Sequence, residues 1–210
     1  MGSSFDSDAG TLAFVAVGAR IWSALWISLD DNELRVIRGV RVYLRAVERD
    51  DLQRCHRWMN DEKLVATLAQ RYPMSVAREA DWIERAARGQ DPSELSLAIC
   101  LSDDDRHIGN CGLVGIDRDN RTATLGIFIG EEEFRGRGFG AEALRLLCRY
   151  GFDELDLRKI RLDVQSENAA AMKTYERLGF KREGLLREEV YRKGRTIDVV
   201  RMGLLKEEIT

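Results

Sequence analysis

The sequence has few of the residues that would indicate a metalloprotein, a disulfide-stabilised fold or a disordered chain. Among its 210 residues are only two prolines, two histidines and four cysteines. The cysteines form no CxxC pair, and two histidines are too few for the usual zinc cage of His and Cys ligands, so we expect no metal site. With 44% hydrophobic residues, the chain has enough apolar surface to fold into one domain with a sizeable core.

No charge of one sign dominates the chain. Lys and Arg together number 33 and Asp and Glu 36, which gives a net charge of -3. The sequence therefore provides no global field that would attract nucleic acid or an anionic membrane, and we predict neither as a partner.

The four cysteines are interpreted as buried, reduced thiols of a cytoplasmic protein. They stand at positions 55, 100, 111 and 148. The alternative is a catalytic cysteine with a histidine partner, because Cys55 adjoins His56 and Cys111 lies near His107. We disfavour it because catalytic pairs meet in space and seldom by adjacency in the sequence.

Residues 1–39 are predicted to be an N-terminal extension without chemistry. Its apolar stretch, 12–29, contains Arg20 and barely reaches the roughly 20 residues that a membrane-spanning helix needs. No Lys or Arg precedes the stretch, so we predict no secretory signal. Its large apolar side chains are expected to pack on the domain or on a second subunit in a homodimer. They are Phe14, Ile21, Trp22, Leu25 and Trp26.

From Val40 onward, the hydrophobic periodicity predicts a single α+β domain over 40–210. The predicted strands are 40–45, 95–101, 107–116, 122–129 and 159–164, followed by a hairpin that turns at 192–194. The predicted helices are 52–60, a helix capped by Ser75, 138–152 and 168–178. Turns rich in Asp and Asn join the second, third and fourth strands into an antiparallel meander. The predicted order is β-α-α-β-β-β-α-β-α-β-β.

A glycine-rich segment after the strand that ends at Ile129 is the first functional motif. It reads Arg135–Gly136–Arg137–Gly138–Phe139–Gly140 and opens a helix. Such a turn directs backbone N–H groups and a helix N-terminus at one point, which is a geometry that binds phosphate or pyrophosphate. No Gly-Lys-Ser/Thr follows, so it is not a Walker A loop, and its strand belongs to a late meander, so it is not a Rossmann fingerprint. Spacing alone fits a tight turn equally well.

Residues 168–180 form the second motif. Asn168 is a good helix N-cap, Tyr175 and Leu178 share one helix face, and Gly179 is a typical C-terminal glycine. From spacing alone, Tyr175 is an ordinary tyrosine that packs in the core.

Together, these two motifs resemble the GNAT superfamily of acetyl-CoA-dependent N-acetyltransferases, and within it the RimJ/RimL-like branch. The resemblance covers about 40–210, which is nearly everything except the extension. It implies a GNAT-type three-layer α/β/α fold. The sheet would be mixed and mostly antiparallel, with about seven strands that splay apart between the fourth and the fifth.

The resemblance also implies roles for individual residues. Tyr175 would protonate the departing thiolate, because a phenol of pKa about 10 is protonated at neutral pH. Glu132 is a candidate general base, and Asp61, Glu62 and Glu189 are candidates for the acceptor side. No metal is implied. The residues expected to bind acetyl-CoA are Phe128, Ile129, Gly130, Arg135, Gly136, Arg137, Gly138, Phe139, Gly140, Ala141, Asn168 and Lys173.

The implied reaction is direct transfer of the acetyl group to a primary amine in a ternary complex. By branch resemblance, the expected acceptor is the α-amine of a protein N-terminus, while polyamine, amino-sugar and aminoglycoside amines stay open. Residues 173–195 carry a net charge of +4 but 131–133 are all acidic, so charge does not select the acceptor. The alternatives from other classes are a non-catalytic acetyl-CoA sensor and an NAD- or nucleotide-binding domain.

Overall fold

The computed structural model describes residues 36–68, 72–89 and 91–210. These residues form one α+β unit with eight strands and five α-helices. The strands are β1 (Ile37–Arg38), β2 (Val42–Ala46), β3 (Glu94–Leu101), β4 (His107–Asp117), β5 (Thr122–Ile129), β6 (Lys159–Gln165), β7 (Lys181–Arg192) and β8 (Arg195–Leu205). The helices are α1 (Leu52–Met59), α2 (Glu62–Val65), α3 (Val76–Arg88), α4 (Phe139–Asp153) and α5 (Ala169–Arg177).

All eight strands belong to one sheet, in the order β1-β2-β3-β4-β5-β6-β8-β7. Every neighbouring pair is antiparallel except β5 and β6, which are parallel and pair only over Thr122–Thr124 and Lys159–Arg161. Beyond these residues the two strands diverge. They are the fourth and fifth strands of the predicted order, so the predicted splay is confirmed, as are the mixed sheet and the meander.

The start of the fold differs from the sequence-based expectation. Val40 was predicted to be a strand position but is 89% exposed, because residues 39–41 form the turn between β1 and β2. The two-residue strand β1 lies inside the predicted extension and pairs with Leu44 and Tyr43. The rest of the extension, with the apolar side chains expected to pack on the domain or on a second subunit, lies outside the described residues.

Local signals set the ends of the helices and the last hairpin. Ser75 accepts a hydrogen bond from the backbone N–H of Arg78 at 3.2 Å and so caps α3. Gly89, with φ of 56°, ends that helix in the left-handed conformation that glycine adopts without strain. Lys193 and Gly194 both have positive φ, as the favoured two-residue hairpin turn requires. The predicted cap at Ser75 and the predicted hairpin turn are confirmed, whereas the helix end at Gly89 was not predicted.

Among the described residues the core has three apolar clusters, of which the two larger lie on opposite faces of the sheet. Ile127 and Ile129 of β5 pack on the main cluster, which includes the buried faces of α4 and α5. Phe128, between them, packs on the second cluster, which includes Trp58 of α1 and Ile83 of α3. Because alternate residues of a strand point to opposite faces, the helices cover both sides of the sheet. The predicted three-layer α/β/α architecture is confirmed.

The four cysteines are buried and free of disulfides, as predicted. Burial raises the pKa of Cys55 to about 11, so its thiol stays protonated at neutral pH. The ring of His56 contacts the carbonyl oxygen of Met74 at 2.9 Å. This arrangement does not support a catalytic Cys55–His56 pair. Within the described ranges, no helix is long and apolar enough to cross a membrane.

Candidate functional site

The divergence of β5 and β6 opens a cleft in the middle of the sheet. Residues 125–129 of β5 and 162–165 of β6 have no pairing with each other. Because the two strands are parallel, their carboxyl ends lie at the same edge, and so do the starts of α4 and α5, which follow them. The two motifs of the sequence therefore lie at one end of one cleft, where open α/β sheets commonly bind ligands.

The glycine-rich loop gives α4 an N-terminus with free donors. Gly136 and Gly138 have φ of 73° and 87°, a conformation that side-chain-bearing residues rarely adopt. Gly138 is the N-cap, and the first intrahelical bond is made by the N–H of Glu142. Over 136–141, no backbone N–H donates to an acceptor within the described part of the chain. Six consecutive donors at a helix N-terminus are chemically suited to a pyrophosphate.

Contacts on both sides hold this loop in place. Arg41 donates to the carbonyl oxygen of Arg137 at 3.1 Å and to the Glu142 carboxylate at 3.1 Å. The same carboxylate accepts the backbone N–H groups of the turn before β2. The rings of Phe134 and Phe139 pack edge to face with their centres 5.5 Å apart, and the guanidinium of Arg137 lies over both rings. Sequence reasoning missed Arg41 and Glu142, although an acidic residue in the first turn of a helix is a detectable signal.

The side chain of Arg135 points to the end of β5. Its guanidinium donates to the carbonyl oxygen of Ile129 at 2.9 Å and to that of Gly130 at 2.5 Å. It also pairs with Asp61, the N-cap of α2, at 3.2 Å. The side chain of Arg135 thus connects the strand, the loop and the helix. The sequence predicted Arg135 to bind acetyl-CoA and did not predict this structural role.

Trp58 packs directly on Gly130. A methyl group placed on Gly130 would lie 2.2 Å from Cδ2 of the indole, so only glycine fits here. The indole N–H donates to the carboxylate of Glu131 at 3.3 Å, and Arg57 pairs with the same carboxylate. From the sequence alone, Trp58 had no predicted role. A glycine directly after a strand is the only sequence signal for this close contact.

Tyr175 lies on the α4 and α5 face of the sheet, half-buried against the main core. Its ring centre is 5.9 Å from that of Phe180. Desolvation raises the pKa of its phenol above the ordinary value, so the hydroxyl is protonated at neutral pH. The hydroxyl makes no hydrogen bond to any residue that the structure describes, which leaves it able to donate to a ligand.

The two residues of the α5 region that were predicted to bind the coenzyme lie at the start and on the surface of this helix. The side-chain carbonyl of Asn168 accepts the N–H of Ala171 at 3.1 Å, so Asn168 caps the helix and its amide nitrogen is left as a donor. Lys173 is exposed on the surface of α5.

The predicted acidic residues lie around α2, and most are paired with cations. Glu132 is exposed and lies 3.0 Å from Lys63. Glu62 lies 2.9 Å from Lys193, which lowers the pKa of its carboxyl. Desolvation opposes ionisation of Asp61, but its bonds from Arg135 and the Lys63 backbone hold its pKa below the ordinary value.

The α2 segment bridges the two sides of the cleft. Asp61 and Lys63 connect it to the β5 side, through the ion pairs just described. On the other side, Arg192 in the last hairpin donates to the carbonyl oxygens of Val65 and Ala66 at 2.7 and 2.8 Å. Glu189 is exposed on β7 of this hairpin, which is separated from β5 by the two strands β6 and β8.

Comparisons with known proteins agree with this architecture. The profile of the acetyltransferase (GNAT) domain family matches residues 41–181. The chain is 33% identical to the uncharacterised N-acetyltransferase p20 of Bacillus licheniformis, over 80% of this chain and 94% of that protein. A Bacillus subtilis protein for which ribosomal N-acetyltransferase activity has been proposed is 36% identical, over 47% of this chain and 55% of its own length.

A solved structure shares both the fold and the sequence signal. It is spermidine N-acetyltransferase from Vibrio cholerae in complex with CoA and spermine, at a TM-score of 0.75 and 30% identity. The match covers 80% of this chain and 97% of that one. Within the described residues, no cluster of three or more metal-ligating side chains occurs. The chain belongs to the GNAT family and is an acetyl-CoA-dependent N-acetyltransferase.

Proposed function

We propose that the cleft between β5 and β6 holds acetyl-CoA with its pyrophosphate at the start of α4 and its thioester at the end of β5. The unpartnered N–H groups of 136–141 support the first contact, because they satisfy an anion without moving. Residues 128–130 would bind the pantetheine arm, and a backbone N–H there would stabilise the developing oxyanion. Such a donor typically contributes about 2.7–4 kcal/mol.

In this site, the acceptor amine attacks the thioester carbon directly, and no covalent enzyme intermediate forms. Tyr175 donates its phenolic proton to the departing thiolate, a role that its raised pKa supports. The amide nitrogen of Asn168 and the ammonium of Lys173 would bind the coenzyme from the α5 side. Glu132 would accept the proton of the amine, directly or through a water, and its exposure gives it access to solvent.

The acceptor that the site favours is an α-amine, such as a protein N-terminus. The supporting observation is charge pairing around the cleft: each of four carboxylates contacts a Lys or Arg of the protein. These are Asp61 with Arg135, Glu62 with Lys193, Glu131 with Arg57 and Glu132 with Lys63. No surplus negative charge is left among these residues to attract a polycation.

The free-energy cost of deprotonating the acceptor amine also favours an α-amine. At pH 7, an α-amine of pKa about 7.7–8.0 costs roughly 1–1.4 kcal/mol to deprotonate, whereas a nitrogen of pKa about 10.4 costs about 4.6 kcal/mol. The first amine therefore requires much less of a base such as Glu132 than the second does.

A polyamine is the second candidate acceptor. It is favoured by the similarity to spermidine N-acetyltransferase over 80% of this chain. In that case Glu62 would have to exchange Lys193 for the substrate, while Glu189 is exposed on the last hairpin. Polyamine binding would therefore weaken strongly as ionic strength rises.

A turnover assay that detects released thiol separates the two candidates. The panel comprises peptides with free N-termini, the same peptides blocked at the N-terminus but carrying a lysine, spermidine and an aminoglycoside. Turnover with free but not blocked peptides supports the α-amine. Turnover with spermidine alone, suppressed by salt, would establish the polyamine instead. Light scattering of the full chain, and of the chain lacking residues 1–33, tests the predicted homodimer.

A further inference from the structure

A carboxylate is completely buried at the start of α1. Asp51 has 0% exposure, and its two oxygens accept hydrogen bonds from Arg45 at 2.7 and 2.8 Å. Arg54 donates to it at 2.8 Å and the backbone N–H of Glu48 at 2.9 Å. Desolvation opposes ionisation, but these bonds and one from His107 hold the pKa of Asp51 far below its ordinary value. The group is therefore a permanent buried anion.

His107, the first residue of β4, is fixed on both edges of its ring. Nδ1 lies 3.0 Å from Oδ1 of Asp51. Nε2 lies 2.9 Å from the carbonyl oxygen of Gly109 and 2.8 Å from Oδ1 of Asn110. With hydrogen-bond partners on both nitrogens and 2% exposure, the ring has one orientation. Buried, fully bonded polar groups of this kind specify geometry more than they add stability.

The indole of Trp58 lies between His107 and the end of β5. Its ring centre is 4.8 Å from the imidazole, edge to face, and 6.0 Å from the ring of Phe128. The indole also packs on Gly130. Asp51, His107 and Trp58 thus form a continuous chain of contacts from a buried anion to the backbone at the strand end.

We propose that His107, held by Asp51, is a positioning residue that sets the end of β5 through Trp58. The proposal rests on the placement of the thioester at Phe128–Gly130. If the imidazole is lost, Trp58 can shift, and the backbone of Gly130 shifts with it. Displacement of a reacting group by about 1 Å can cost up to roughly 100-fold in rate.

Two substitutions test this role, with one control. His107→Phe keeps an aromatic ring but removes both ring nitrogens. His107→Gln keeps a side chain that can still donate to Asp51. His56→Gln is the matched control, because His56 lies on α1, the helix of Trp58, but its ring bonds only to the carbonyl of Met74 among the described residues. Circular dichroism establishes that each variant is folded.

The position of Trp58 can be followed independently of activity. The chain contains four tryptophans. Labelling with 5-fluorotryptophan gives one ¹⁹F resonance for each, and Trp58→Phe assigns the one required. We expect His107→Phe to lower kcat roughly 10–100-fold, to leave KM for acetyl-CoA nearly unchanged and to move the Trp58 resonance. His107→Gln should recover part of kcat, and His56→Gln should change neither kcat nor the Trp58 resonance.

The outcomes separate this proposal from the placement of the thioester. Wild-type kcat in folded His107→Phe, or a lower kcat with an unmoved Trp58 resonance, would overturn the positioning role. If His107→Phe does not fold, a His107→Gln variant that moves the Trp58 resonance but keeps wild-type kcat would overturn it instead. Acetyl-CoA that binds the wild type without moving the Trp58 resonance would show that the thioester lies elsewhere, and the positioning role would be lost with it.

Discussion

The carboxylate of Asp61 lies 3.2 Å from the guanidinium of Arg135, so the start of α2 is joined to the glycine-rich loop. The same guanidinium donates to the carbonyl oxygens of Ile129 and Gly130. A planar guanidinium suits this task because its donors form a rigid fork. The side chain of Arg135 thus connects α2, on the acceptor side, with the end of β5. In our proposal, the end of β5 faces the thioester.

We predict that Arg135→Lys lowers kcat although the charge is kept. A lysine offers one compact ammonium in place of the fork, so the carbonyls of Ile129 and Gly130 cannot both keep their donor. The expected loss is roughly tenfold or more, measured by steady-state kinetics at saturating acetyl-CoA. Arg121→Lys is the control, because Arg121 pairs with Asp156 at the closed end of the cleft. Equal losses in the two variants would contradict a specific role for Arg135.

Gly138→Ala should weaken acetyl-CoA binding. At φ of 87° an alanine is strained, and its Cβ would lie 3.1 Å from Nη2 of Arg41. The loop must then move, and its N–H groups lose their common direction. Gly194→Ala is a matched control, since φ is 81° there but the space is open. Each substitution should cost about 1–2 kcal/mol of stability, while calorimetry should detect weaker acetyl-CoA binding only for Gly138→Ala. Unchanged affinity would remove the loop from the binding site.

The parts of the fold that depend on neighbouring residues could be predicted from the sequence. Ser75, Asn168 and Gly179 mark helix ends because caps and left-handed glycines act within one turn of chain. The strand at 122–129 has the boundaries that its alternation indicated. The two-residue strand β1 was missed because it is too short to show a period.

The parts of the site that depend on distant residues could not be predicted. Nothing in the local sequence of Arg135 shows that its side chain points to the strand rather than to a ligand. The contact between Trp58 and Gly130 joins residues that are far apart in the chain, and so does the bond between His107 and Asp51. Periodicity identifies which face of an element is buried but not which partner it meets.

Tyr175→Phe should lower kcat strongly while acetyl-CoA affinity stays nearly constant. The substitution removes only the hydroxyl, and the ring can keep its packing against Phe180. Loss of a general acid typically costs roughly 100-fold or more. Because desolvation raises the pKa of Tyr175, the wild-type rate should show no decline from its ionisation until above pH ~10. Stopped-flow turnover and calorimetry measure the two quantities. Equal rates in wild type and variant would remove Tyr175 from the mechanism.

A different carboxyl should make the stability of the fold depend on pH. Glu79 of α3 is 3% exposed, and its carboxyl group has no hydrogen bond or ion pair with the described residues, although its backbone N–H donates to the carbonyl oxygen of Ser75. Desolvation raises its pKa, against the opposing effect of His56 and Arg78. At a pH between the pKa values of Glu79 in the unfolded and folded states, the folded state binds more protons than the unfolded state. The contribution of Glu79 to stability is therefore present at low pH and is lost as the pH rises through the folded pKa.

Glu79→Gln should consequently increase the free energy of unfolding at pH ~8 relative to wild type, and much less so at pH ~4, below the ordinary glutamate pKa. Urea denaturation at the two pH values measures the difference. Glu84→Gln, on the same helix, is the control with the opposite sign, because its bond from Arg49 lowers the pKa of that exposed carboxyl. A Glu79→Gln variant that is less stable than wild type at high pH would show that the buried carboxylate is favourably solvated or paired in solution.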